Sequence, residues 1–79
     1  MTAKTDELTA VRTAWSGAFG KAVCDDDDFF DLGGNSVAAL SICSRLEESI
    51  GTRVPLRVLF THPRFGDYAA EVARIVGGS

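Results

Sequence analysis

The sequence predicts an all-α fold of three longer helices and one short helix, with a long first loop. Two observations carry this. Apolar residues recur at three- and four-residue intervals in segments separated by glycines and prolines. No segment sustains the alternation of a strand, Thr52-Arg53-Val54 being too short. At 79 residues there is room for one small domain, which buries only about 60% of its unfolded surface.

In the first helix, Thr5-Asp6-Glu7 supplies a capping oxygen and acids suited to the positive end of a helix dipole. Leu8, Val11, Trp15, Ala18 and Phe19 follow at helical spacing, and Gly20 stops the helix. Residues 21–35 show no helical period. They hold the run Asp25-Asp26-Asp27-Asp28, then Phe29-Phe30 and Gly33-Gly34. Carboxylates about 6 Å apart in water repel by roughly 0.7 kcal/mol per pair, which favours an extended, solvated loop. At least one of Phe29 and Phe30 turns inward to anchor it.

The second helix runs from Ser36 to Ile50, with Gly51 past its end. At about 100° per residue, Ala39, Ile42, Cys43, Leu46 and Ile50 form one stripe, assigned to the core. Ser41, Ser44 and Glu48 lie on the far side. Val37 lies there too, and Leu40 sits at the edge. Pro55 opens a short third helix through Leu56, Val58, Leu59 and Phe60, which Pro63 ends. The last helix runs from Phe65 to Val76 with Phe65, Tyr68, Ala69, Val72, Ile75 and Val76 inward. Trp15 and Tyr68 read as core residues, and His62 as solvent-facing or a local hydrogen-bonder.

The formal net charge is −3, unevenly placed. Seven acids against three bases precede Ser36, while four acids face five bases from there onward. Such a chain has no electrostatic reason to hold nucleic acid. Uncharged runs fall short of a membrane span, and no basic segment leads into an apolar one as in a secretory signal. Cys24 and Cys43 match no zinc spacing and read as two free thiols in a reducing cytoplasm.

Chemistry concentrates at Gly33-Gly34-Asn35-Ser36. Gly34-Asn35-Ser36-Val37-Ala38 shares the outline of a nucleophile elbow, but that motif needs a strand before the serine and a triad beside it. The aspartate run fits no EF-hand register, because Phe30 or Leu32 stands where glycine is required. No catalytic residue and no metal ligand set emerges. Two readings of Ser36 remain. Asn35 or Ser36 caps the second helix, which is worth about 1 kcal/mol. Alternatively, Ser36 receives a phosphate ester, favoured by roughly 0.3–1 kcal/mol at the positive end of the helix. The paired glycines would then let a modifying enzyme approach, and that enzyme would supply the base.

Asp28-Phe29-Phe30-Asp31-Leu32-Gly33-Gly34-Asn35-Ser36 closely resembles the DxFFxLGGxS signature of peptidyl carrier proteins, the thiolation domains of nonribosomal peptide synthesis. Val11 with Trp15 resembles the family's opening helix. Val54-Pro55-Leu56, Leu59-Phe60 and Pro63 resemble its ending. The resemblance covers residues 6–76, leaving 1–5 and 77–79 as flexible ends. It implies an acyl-carrier-like four-helix bundle that is not an enzyme. Ser36 would hold covalent 4′-phosphopantetheine, transferred from coenzyme A by a phosphopantetheinyl transferase with Mg²⁺. An adenylation enzyme would load the arm's thiol as a thioester, for delivery to downstream condensation or tailoring enzymes.

With that role, Val37 and Leu40 are expected to form an apolar contact for docking partners, rimmed by Leu32, Gly33, Ser41 and Ser44. Two departures from the family stand out. Val37 replaces the commoner Leu or Ile. Arg64 stands where Thr or Ser often caps the last helix, so that cap comes from elsewhere or is weak. The neighbouring alternative is an acyl carrier of fatty-acid or polyketide synthesis. Asn35 before the serine, the doubled glycine and Arg45 in the second helix argue against it. An unmodified helical interaction module leaves Leu32-Gly33-Gly34-Asn35-Ser36 without a reason. Met1 and the short ends favour a stand-alone carrier, expected to be a cytoplasmic monomer.

Overall fold

The computed structural model describes residues 7–78. Its elements are α1 (Glu7–Phe19), α2 (Ser36–Ile50), α3 (Leu56–Thr61) and α4 (Phe65–Gly78). Thr5 and Asp6, the expected cap of α1, lie outside the described residues. Gly20 ends α1 as expected, its N–H donating to the Ser16 carbonyl at 2.7 Å. Gly51 closes α2 in the same manner, donating to the Glu47 carbonyl at 2.8 Å.

The core lies between α1, α2 and α4, with α1 against α2 as the largest helix pairing. Val11, Trp15, Phe29, Ile42, Leu46, Leu59, Phe65, Tyr68 and Val72 are its fully buried larger side chains. Trp15 is the hub. Its ring meets Phe65 edge-on at 5.2 Å, Tyr68 at 5.8 Å and Phe29 at 6.0 Å between centroids. The Phe65 and Phe29 pairs are edge-to-face and each adds about 0.5–1.5 kcal/mol beyond burial, while the Tyr68 pair is tilted at 45°.

One core expectation needs correction, at Cys43 and Ile50, and two apolar residues at helical spacing are exposed. Leu8, in the first turn of α1, is 45% exposed, whereas Ala10 and Ala14 are buried. Cys43 and Ile50 are half-buried rather than central, since they lie on the flank of the α2 stripe led by Ala39, Ile42 and Leu46. Phe60 is exposed, because its turn of α3 carries Val58 and Leu59 inward and leaves Phe60 outside.

The first loop is also more folded than charge repulsion suggested. Asp27 Oδ2 accepts the Cys24 N–H at 2.8 Å, and Asp28 Oδ1 accepts the Phe30 N–H at 2.8 Å. Arg12 donates to the Val23 carbonyl at 2.5 Å and pairs with Asp25 at 2.6 Å. Hydrogen bonds to charged acceptors are worth about 1.5–3 kcal/mol, more than the repulsion between adjacent carboxylates. Phe29 then drives into the core and Phe30 stays outside.

Arg64 provides no side-chain cap for α4. Instead, loop carbonyls do the capping: Phe65 N–H donates to Asp27 O at 2.8 Å, and Gly66 N–H to Asp25 O at 3.1 Å. Asp28 and Arg64 form an isolated antiparallel bridge beside them. The loop before Ser36 is therefore stitched to the start of α4.

Candidate functional site

Ser36 opens α2, but it is not the cap. Asn35 is extended, with φ −150°, and its Oδ1 accepts the Ala38 N–H at 3.0 Å. Its carbonyl accepts the Ala39 N–H at 2.9 Å. With those first donors taken up by Asn35, the exposed Ser36 hydroxyl has no capping duty. Of the two caps open in the sequence, Asn35 is the one formed.

The glycines before it serve the loop. Gly33 has φ +92°, a left-handed conformation costly for any side chain. A Cβ on Gly34 would stand 2.5 Å from the ring of Phe29. Both glycines therefore have a structural role besides the open approach to Ser36 expected of them. Gly34 makes room for the anchoring aromatic, which places the start of α2.

Two large apolar side chains flank Ser36 in solvent: Val37 is 75% exposed and Leu40 60%. Leu32 is half-buried against the core, and Gly33 and Ser44 are exposed. Ser41 is half-buried, its hydroxyl accepting from Arg45 Nε at 3.0 Å. Phe30 and Phe60 stack at 6.0 Å with an 18° interplanar angle, and both are exposed. This loop-to-α3 pair was missed in the sequence, since nothing local announces that Phe60 faces out.

The site fits a phosphodiester. The hydroxyl is exposed at the positive end of a 15-residue helix that has no acid in its first turn. Among the described residues no group of three His, Cys, Asp or Glu side chains could hold a metal ion. No helix among them is long and apolar enough to cross a membrane.

Residues 9–72 match the family described as "PP-binding: Phosphopantetheine attachment site". The chain belongs to the phosphopantetheine-attachment family. Members of this family hold 4′-phosphopantetheine covalently and are carriers, not catalysts in themselves. The carrier's fold is similar to BlmI, a type-II acyl-carrier-protein from Streptomyces verticillus involved in bleomycin biosynthesis. The TM-score is 0.81 at 27% identity, covering 89% of this chain and 86% of that one. A solved "Non Ribosomal PCP domain" matches at TM-score 0.71 and 33% identity, covering 89% of this chain and 92% of that one. A linear gramicidin synthase polypeptide of Brevibacillus parabrevis is 46% identical over 50 residues, 63% of this chain. The matched segment spans only 1% of that polypeptide. The carrier is thus a homologue of nonribosomal peptide synthetase carrier domains with the four-helix fold expected of one.

Proposed function

We propose that Ser36 is the attachment residue and that the chain acts as a peptidyl carrier, with residues 6–76 as the carrier domain. The observation that carries this is the exposed Ser36 hydroxyl at the start of α2, left free because Asn35 does the capping. When bound, 4′-phosphopantetheine supplies a thiol that holds an aminoacyl or peptidyl group as a thioester. The chain's own residues position that arm, and they present Val37 and Leu40, rimmed by Leu32, Gly33, Ser41 and Ser44, to partner enzymes. Those partners are a phosphopantetheinyl transferase, an adenylation enzyme and downstream condensation or tailoring enzymes of nonribosomal peptide or hybrid natural-product biosynthesis. Tethering makes each delivery partly intramolecular, at effective concentrations of order mM.

The test is intact mass after incubation with coenzyme A, Mg²⁺ and a broad-specificity transferase. Wild type gains one phosphopantetheine and Ser36→Ala gains none. Equal gain by the variant, or no gain by wild type, overturns the assignment. Loading by adenylation enzymes rather than by acyl-transfer enzymes then separates a peptidyl from an acyl carrier.

A further inference from the structure

Among the described residues five large apolar side chains are exposed, and four of them, Phe30, Val37, Leu40 and Phe60, are linked across three elements. The fifth, Leu8, lies on a separate groove between α1 and α4. Leu40 of α2 and Leu56 of α3 line one groove of about 330 Å³. Leu56 and Phe60 are four residues apart, so they share a face of α3. Phe60 in turn stacks on Phe30 of the first loop. The buried ring of Phe29 lies edge-on beneath both, at 5.2 Å from Phe30 and 6.1 Å from Phe60, and it packs against Gly34, two residues before Ser36. An apolar band therefore runs from beside Ser36 over α2 and α3 to the loop.

Covering Phe29 uses only the inner sides of the pair, since Phe30 remains 51% exposed and Phe60 40%. Contiguous exposed apolar surface marks interaction sites, and aromatic and arginine anchors carry most of the energy of such contacts. The stack is formed in advance, with Asp28 Oδ1 holding the Phe30 N–H at 2.8 Å, so a partner has little to order on contact.

Charge says what covers the band. Residues 52–66 hold Arg53, Arg57 and Arg64 and no acid, in a chain of net charge −3. All three are exposed. Arg53 reaches Glu47 only at 4.0 Å, and Arg57 and Arg64 form no ion pair among the described residues. Arg57 lies three residues before Phe60, beside it on the helix. In the loop, by contrast, Asp25 pairs with Arg12, while Asp27 and Asp28 accept backbone N–H groups. Asp31, next to Phe30, is exposed, so the sign of charge changes across the pair and fixes a direction of approach. The arm adds a constraint of its own. A transferase has to close on the Ser36 hydroxyl, whereas an enzyme acting on the arm's thiol works an arm's length away and can rest to one side.

We propose that Phe30 and Phe60, with Arg57 beside them, anchor the adenylation enzyme that loads the arm, and that this enzyme presents an apolar hollow edged with carboxylates. The inference rests on the peptidyl carrier reading and extends its docking surface from α2 to α3 and the loop. The two rings enter the hollow, and the carboxylates meet Arg57 and Arg64. Contacts at the low end of interface size are transient, which lets the carrier leave once it is loaded.

The test uses the full chain in the holo form with an adenylation enzyme that loads it, and reads kcat and KM for the carrier. Phe30→Ala and Phe60→Ala each raise KM about tenfold while kcat stays within about twofold, as expected of an interface anchor. The double variant loses little more than either single one, because the rings act as one group. Arg57→Glu, an exposed change that leaves the fold intact, raises KM at low salt, and the gap to wild type narrows as salt screens it. Conversion to the holo form by a broad-specificity transferase proceeds at the wild-type rate in every variant, as a folded Ser36 site requires. Wild-type KM in either Phe60→Ala or Arg57→Glu overturns the proposal. An equal loss in transferase modification also overturns it, since the pair would then serve the fold or the transferase. Wild-type holo protein that only acyl-transfer enzymes can load sinks the peptidyl reading, and the proposal with it.

Discussion

The main-chain carbonyl of Asp27 accepts the N–H of Phe65 at 2.8 Å, so the acidic loop supplies the cap that α4 lacks in its own sequence. Arg12 locks this junction. Its guanidinium holds Val23 O and Asp25 Oδ1 and lies 4.7 Å from the centre of the Phe65 ring. Arg12→Ala is expected to destabilise the fold by about 1–2 kcal/mol, mostly through the lost donor to Val23 O, because an exposed ion pair alone contributes about 0–1 kcal/mol. Faster hydrogen exchange at Phe65 and Gly66 locates the effect. Unchanged exchange at both amides would sink the locking role.

Gly34→Ala brings a Cβ to 2.5 Å from the Phe29 ring, which is fully buried and cannot swing into solvent. The expected cost is about 1–3 kcal/mol, typical of overpacking. Denaturant unfolding measures it. A variant as stable as wild type would mean that Phe29 has room to move.

Asn35→Ala removes the acceptor for the Ala38 N–H and is expected to cost about 1 kcal/mol, while Asn35→Asp keeps the cap. Both variants still acquire phosphopantetheine to completion, because the Ser36 hydroxyl takes no part in the cap. Loss of modification in a folded Asn35→Ala protein contradicts that separation of roles.

Alkaline pH weakens the fold through Tyr68 and Cys43. Burial raises both groups above their ordinary values, and each also interacts with the other. A raised folded-state value means that the unfolded chain gives up its proton first as pH rises. Their contribution is therefore complete at neutral pH and is lost upward from about pH 8.5 for the thiol and about pH 10 for the phenol. Tyr68→Phe flattens the decline above about pH 10 in a series of unfolding curves. An unaltered alkaline slope in that variant refutes the assignment.

Val37 and Leu40 are so exposed that Val37→Ala and Leu40→Ala are expected to change stability by less than about 0.5 kcal/mol. Loading of the holo form by a cognate adenylation enzyme is expected to slow about tenfold, equivalent to about 1.4 kcal/mol of docking. Unaltered loading by both variants would leave these side chains without a docking role.

Much of the architecture was legible in the sequence. α2 occupies Ser36–Ile50, as apolar spacing and Gly51 indicated, and one phenylalanine of the pair anchors the loop. The off-stripe position of Val37 is visible as an irregularity of pattern, and the structure places it in solvent. Leu8 and Phe60 are exposed despite their helical spacing, because spacing describes a helix face and not where a neighbouring element stops covering it.

The order of residues alone determined the helices, the Ser36 motif and the family to which the chain belongs. These depend on interactions within a few positions: periodicity, punctuation by glycine and proline, and a contiguous signature. Only the tertiary structure decided that Asn35 rather than Ser36 caps α2, and that Gly34 yields space to Phe29. It also decided that loop carbonyls cap α4, and that Leu40, Cys43, Ser44 and Glu47 of α2 face residues 53–56 across a groove. Each of those depends on distances between segments far apart in the chain, which packing sets and no local pattern encodes.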